Sequence, residues 1–234
     1  MVHALELLGG YTTGQWGMVT TRQAQSLGVG DVTLHRLRTA GLLETVRHGV
    51  HATTSSPAAE ARPEQAVWLS LRPATPAWER PRLDPDGGVV SHRSAARLHG
   101  LGDLPDVRIE LTVPRRRTMR DPNVWLRTAS LAESDVALLD GLPVTTPLRT
   151  IRDLLDRRID ASHVATIVRQ AIDAGQVTRT ELPAAIAPFA RHYGVTSGDE
   201  LLAHLLAQIG APLPDSPVTW GQLAELLQRV QDRP

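Results

Sequence analysis

The sequence contains no cysteine and no lysine, and it has a single phenylalanine and two tyrosines. The absence of cysteine excludes disulfides, thiol nucleophiles and thiolate metal sites. The absence of lysine excludes Schiff-base catalysis and a phosphate-binding P-loop lysine. All 25 basic residues are therefore arginines, always charged, planar and able to grip an anion with two parallel N–H donors. They are balanced by 25 acids to a formal net charge of zero, which excludes a bulk polyanion binder with a uniformly positive surface. No apolar run is long enough to span a bilayer and no secretory leader is visible, so the expectation is a soluble cytoplasmic protein.

The charge is unevenly distributed. Residues 1–52 carry four arginines against three acids, residues 80–127 ten against six, and residues 193–234 two against five. Any affinity for nucleic acid must come from a local patch, and tight binding then needs a specific site or a dimer.

One stretch carries most of the information. From Thr20 to Leu43 the order is a short helix with Ala24 and Leu27 on one face, a turn at Gly28-Val29-Gly30, and a second helix that Asp31 can cap and that runs to about Ala40. Gly41 stops this helix, and Leu43 to Ala52 then alternates polar and apolar residues about a turn at His48-Gly49, the pattern of a two-stranded wing. This predicts a winged helix-turn-helix. On the second helix Leu34 and Leu37 share a face while Val32, Arg36 and Thr39 point away from it, flanked by Thr33 and His35. A recognition helix needs this division, with Arg36 placed to reach a guanine edge or a phosphate. Arg47 and His48 at the wing tip are placed for the phosphate backbone or the minor groove.

Beyond the wing, residues 53–63 break periodicity as a linker or bridge, and a helix starts near Pro63. The Pro-rich segment from Pro73 to Pro85 reads as an exposed loop. Val89-Val90-Ser91 is strand-like and residues 93–98 helical. The alternation of Val107, Ile109, Leu111 and Val113 with polar residues describes a half-buried strand, with residues 124–127 as its partner. The intervening loop holds Arg115, Arg116 and Arg117, and it fits either phosphate contact or a solvated hairpin tip. The remainder is helical, at about 147–156, 161–174 and from 178 onward. Capping patterns at Ser197–Glu200 and Thr219–Gln222 introduce two leucine-rich helices, which complete a core or dock a partner subunit.

The fold class is therefore α+β, organised as a winged helix at 1–55, a mixed α/β domain at 60–192 and a helical extension at 193–234. Metal and catalytic chemistry find little support. His92 with His99, and His48 with His51, lack the third ligand of a catalytic zinc site, and no nucleophilic triad or phosphate loop is present. No cofactor is expected.

The winged helix, the run from Ser91 to Leu101 (SHRSAARLHGL), the strand end at Leu111–Arg115 (LTVPR) and the run from Gly141 to Leu154 (GLPVTTPLRTIRDL) together resemble AbiEi-family antitoxins of type IV toxin–antitoxin systems, over about residues 10–158. The resemblance implies a non-enzymatic bacterial antitoxin. Its winged helix would bind double-stranded DNA at its own promoter, often at inverted repeats, with homodimerisation as an option. The rest of the chain would counteract a nucleotidyltransferase-like toxin. Two other readings stand beside it: a stand-alone winged-helix regulator or interaction protein, and a nuclease, since similar N-terminal halves occur fused to short-patch-repair-like nucleases. The last is disfavoured, because such nucleases commonly need a lysine and the acids Asp153, Asp156, Asp160, Asp173 and Glu181 fall on apparent helices rather than on adjacent strands.

Overall fold

A computed structural model describes residues 1–105 and 108–211. It divides into two compact units, 1–157 and 158–234. The leucine-rich helix expected after Thr219 lies outside the described residues, as do Asp106 and Val107.

The first unit opens with α1 (Val2–Gly14), β1 (Met18–Thr20), α2 (Thr21–Ser26), α3 (Asp31–Thr39), β2 (Leu43–Arg47) and β3 (Val50–Thr53). Thr20 caps α2 through a capping box with Gln23, and the turn after it places Gly28 at φ +79°. The cap of α3 is Gly30, so Asp31 is the first helical residue rather than the cap, where its charge still favours the helix N-terminus. The strands form an antiparallel sheet in the order β1-β3-β2. One side of this module is a small core of Leu8, Val19, Ala24, Val29, Leu34, Leu37 and Leu43.

The sheet's other side, through Met18, Val50 and Ala52, joins a larger core with Ala66, Val67, Trp68 and Leu69 of α4 (Arg62–Leu71). The segment before α4 is tied back to the wing, since Arg62 pairs with Glu44 and donates to the Ser56 carbonyl at 3.0 Å. On α4 rests a mixed five-stranded sheet in the order β6-β5-β4-β8-β7. Its strands are β4 (Val89–Val90), β5 (Ile109–Val113), β6 (Val124–Thr128), β7 (Val136–Leu139) and β8 (Leu142–Thr145). Gly88 permits the close approach, because a Cβ there would meet Leu71 at 2.8 Å and Val113 at 3.2 Å. Helices α5 (His92–Leu98) and α6 (Pro147–Asp156) complete the unit.

Three expectations are corrected here. The Pro-rich segment is packed, not an exposed loop: Arg80 is buried and donates to the carbonyls of Trp68, Leu69, Arg72 and Thr75, while its guanidinium carbon lies 4.2 Å from the Trp68 ring centroid. It thereby satisfies carbonyls at the end of α4 and in the turn after it. Strand β5 is buried on both sides, because the turn into α5 covers Glu110 and Thr112. The Glu110 carboxylate accepts the Arg93 N–H at 3.1 Å, and the Thr112 hydroxyl donates to Ser91 at 2.9 Å. Ser91 therefore bonds Thr112 and His92 and does not cap α5 through its side chain. Finally, β6 runs parallel to β5, with Ile109 opposite Val124, so residues 114–123 form a return connection and not a hairpin tip.

Among the described residues the second unit consists of α7 (Ala161–Asp173), α8 (Leu182–Ile186), a 3-10 turn at Ala187–Tyr193 and α9 (Gly198–Gln208). Val164, Ile167, Val168, Leu182, Ile186, Leu201 and Leu205 are fully buried in it. Ser197 caps α9, and the next residue, Gly198, sits so close to α8 that any Cβ would collide with the Pro183 carbonyl. Among the described residues no helix is long and apolar enough to cross a membrane.

Candidate nucleic-acid interface

The helix α3 buries Leu34 and Leu37 and exposes Val32, His35, Arg36 and Thr39, with Thr33 half-buried. Arg36, His35 and Thr39 lie together beside Met1 on its outer side. The wing leaves α3 on a different flank. Between α2, α3 and the wing opens a groove of about 1140 Å³ that the turn at 119–122 closes at one end. Its cationic rim is Arg22 of α2, Arg38 of α3, Arg47 and His48 of the wing, and Arg120 of the turn, with Asp31 and Asp121 as the acids.

Buried His51 of β3 fixes the wing's angle to the helices. Its Nε2 is 3.0 Å from the Thr21 hydroxyl on α2 and its Nδ1 is 3.4 Å from Thr45 Oγ1 on β2. Burial and the neighbouring Arg38 and His48 push its pKa below the usual value, so the imidazole is neutral at pH 7 and bonds without bringing charge. The wing tip is anchored too, since Arg47 donates to Asp121 and to the Met119 sulfur, and its side chain is largely covered. His48 remains exposed at the turn.

The Arg115–Arg117 loop is placed differently. Arg117 donates to the carbonyls of Leu71 and Asp86, and Arg115 pairs with the Asp86 carboxylate, whereas Arg116 is exposed. The three side chains do not line the groove, and the loop's contribution to its rim is Arg120.

Three arginines of this rim were not among the candidate residues read from the sequence: Arg22 and Arg38 on the winged module and Arg120 on the loop. Arg38 is 40° around α3 from Leu34 and donates to Thr45 of the wing at 3.3 Å. Choosing the direction opposite the apolar stripe selects Arg36 instead. The signal that finds Arg38 is the wing itself, because the flank that a wing adjoins is the one a wing and helix present together. Among the described residues no group of three or more His, Asp or Glu is placed to hold a metal.

These elements match known families. Residues 14–53 match the family model described as "Transcriptional regulator, AbiEi antitoxin", and residues 88–206 match that of the "AbiEi antitoxin C-terminal domain". The structure resembles the crystal structure of the RV2827C protein from Mycobacterium tuberculosis, with a TM-score of 0.52 and 19% identity over 91% of this chain and 78% of that one. No curated protein matches the chain. A winged helix followed by a mixed sheet and terminal helices, matched by both an N-terminal and a C-terminal model over more than half its length, places this chain in the AbiEi antitoxin family.

Proposed function

We propose that the protein is a DNA-binding antitoxin that represses its own promoter and counteracts a nucleotidyltransferase-like toxin. The observation that carries the DNA-binding part is the groove between α3 and the wing, rimmed by Arg22, Arg38, Arg47 and His48 within a module of the transcriptional-regulator type. Exposed residues of α3, above all Arg36, Arg38, His35 and Thr39, enter the major groove, where an arginine reads guanine through O6 and N7. The wing contributes His48 and Arg47 to phosphates, which sets the position but reads no sequence.

With four arginines in the first 52 residues and no net charge overall, one module makes few phosphate contacts. Two copies on an inverted repeat double that number and supply the affinity a promoter needs. The toxin-directed role rests on family membership and belongs to the C-terminal model's region, 88–206.

A mobility-shift titration of the full chain against its own upstream DNA, with random duplex as competitor, tests the first part. Retention of the upstream fragment at competitor levels that strip random DNA is the expected result. Equal loss of both rejects it. Co-expression with the neighbouring nucleotidyltransferase-like gene tests the second, with growth rescue expected and its absence, despite expressed folded protein, counting against it.

A further inference from the structure

Away from the DNA-facing groove, three guanidiniums converge on one indole. The guanidinium carbons of Arg108, Arg127 and Arg157 lie 4.4, 4.8 and 5.3 Å from the ring centroid of Trp125. The register of β6 explains the grouping. Val124 and Leu126 point into the core shared with α4, so Trp125 and Arg127, opposite Glu110 and Thr112 of β5, occupy the sheet's other side. Arg157 reaches them from the end of α6.

Among the described residues no carboxylate forms a salt bridge with these guanidiniums, although Glu110 and Asp156 act on Arg127 through space. The buried Nε of Arg127 has no hydrogen-bond partner. The nearest acids are weakly placed, since Glu110 bonds the Arg93 backbone and Asp156 is exposed. The same field reaches buried His92, whose pKa is lowered to about 3 by burial and by Arg127, Arg157 and Arg149. Arginines brought together without carboxylates repel one another, and stacking on an indole holds the guanidinium planes while leaving their N–H edges free. Other arginines packed about this sheet are matched, Arg149 by Asp135 and Asp153 and Arg97 by Glu60 and Glu64.

We propose that Trp125, Arg108, Arg127 and Arg157 form a binding site for a phosphate group, delivered either as free orthophosphate or on a small nucleotide. The convergence on a single ring suits one compact dianion. A duplex backbone or an acidic protein surface is read by charge spread over several phosphates or carboxylates, whereas here three guanidiniums meet at one ring.

Calorimetric titration of the full chain with inorganic phosphate, paired with tryptophan fluorescence, tests the site. The expected result is saturable heat and a fluorescence change that disappears in Trp125→Phe, with sodium chloride at matched ionic strength producing neither. Arg157→Gln and Arg127→Gln should each weaken binding at least tenfold. Arg157 is exposed, so its variant remains informative if Arg127→Gln fails to fold. A nucleoside 5′-monophosphate that binds tighter than phosphate assigns the site to a nucleotide, and equal affinity assigns it to the free anion. No saturable binding of either, unchanged binding in Arg157→Gln, or a response to an acidic peptide alone would overturn the proposal.

Discussion

The winged module and the five-stranded sheet use the same cation in opposite ways. On the module Arg22, Arg36 and Arg38 stand exposed, and Arg38 donates a hydrogen bond to a wing threonine. Around the sheet Arg80, Arg97, Arg117 and Arg149 are engaged with backbone carbonyls or buried carboxylates. A chain without lysine must build its structural and its interacting cations from one residue type. Partners and burial separate the two uses, whereas density along the sequence does not: the most arginine-rich loop, 115–120, supplies mainly structural contacts.

The sharpest test of the sheet region is acid. The pKa of His92 is lowered from 6.5 to about 3, so the unfolded chain takes up a proton that the folded chain refuses. Its contribution to stability is complete above pH 6.5 and is lost as pH falls toward 3, by roughly 5 kcal/mol in all. Urea midpoints across this range should show it, and His92→Asn should flatten the acid limb, since asparagine tolerates the φ of +53° held there. An unchanged limb would mean that His92 is not the group responsible.

Next in size is Arg80→Ala. Removing a guanidinium that serves four carbonyls leaves buried acceptors unpaired and should lower stability by about 3 kcal/mol or more, read as a shift in urea midpoint. Arg22→Ala, on an exposed helix face, should shift it by less than about 0.5 kcal/mol. Similar losses in both would erase the distinction between the two sets of arginines.

On the module the order reverses. Arg38→Ala should leave stability nearly intact and weaken binding at the preferred DNA site by about 1–3 kcal/mol, measured by fluorescence anisotropy. Arg36→Ala should behave likewise if it reads a base, and equal losses on specific and random DNA would make it a phosphate contact. The smallest effect is expected for Arg116→Ala, under about 0.5 kcal/mol in stability and without change in the salt slope of DNA binding. Arg117→Ala, by contrast, should destabilise the fold. A salt slope reduced equally by both would return this loop to the DNA interface.

The winged helix was legible in the sequence because its signals are local: glycines at 28, 41 and 49, the apolar pair Leu34 and Leu37 on one helix face, and alternation across the wing. Helix α1 gave no such signal. Its buried residues are Ala4 and Leu8, and Gly9, Gly10, Thr12 and Thr13 weaken its helix propensity. The parallel pairing of β5 and β6 was hidden because a ten-residue connection fits either direction, and the burial of Arg80 because its partners are carbonyls that exist only once α4 ends. At the interface, Arg36 and His48 followed from helix period and turn chemistry. Arg38 and Arg22 depended on where the wing lies in space, which periodicity along one helix does not encode.

DNA reading by the surface that α3 and the wing share is the proposal on which the rest depends. The most direct measurement is the salt dependence of anisotropy for full-length protein on its own upstream duplex, comparing the native chain with Arg22→Ala/Arg38→Ala. Binding should be at least tenfold tighter than to random duplex, fall with salt, and drop at least tenfold in the folded double variant. Equal affinity for upstream and random DNA, or a double variant that binds as the native chain does, would contradict it.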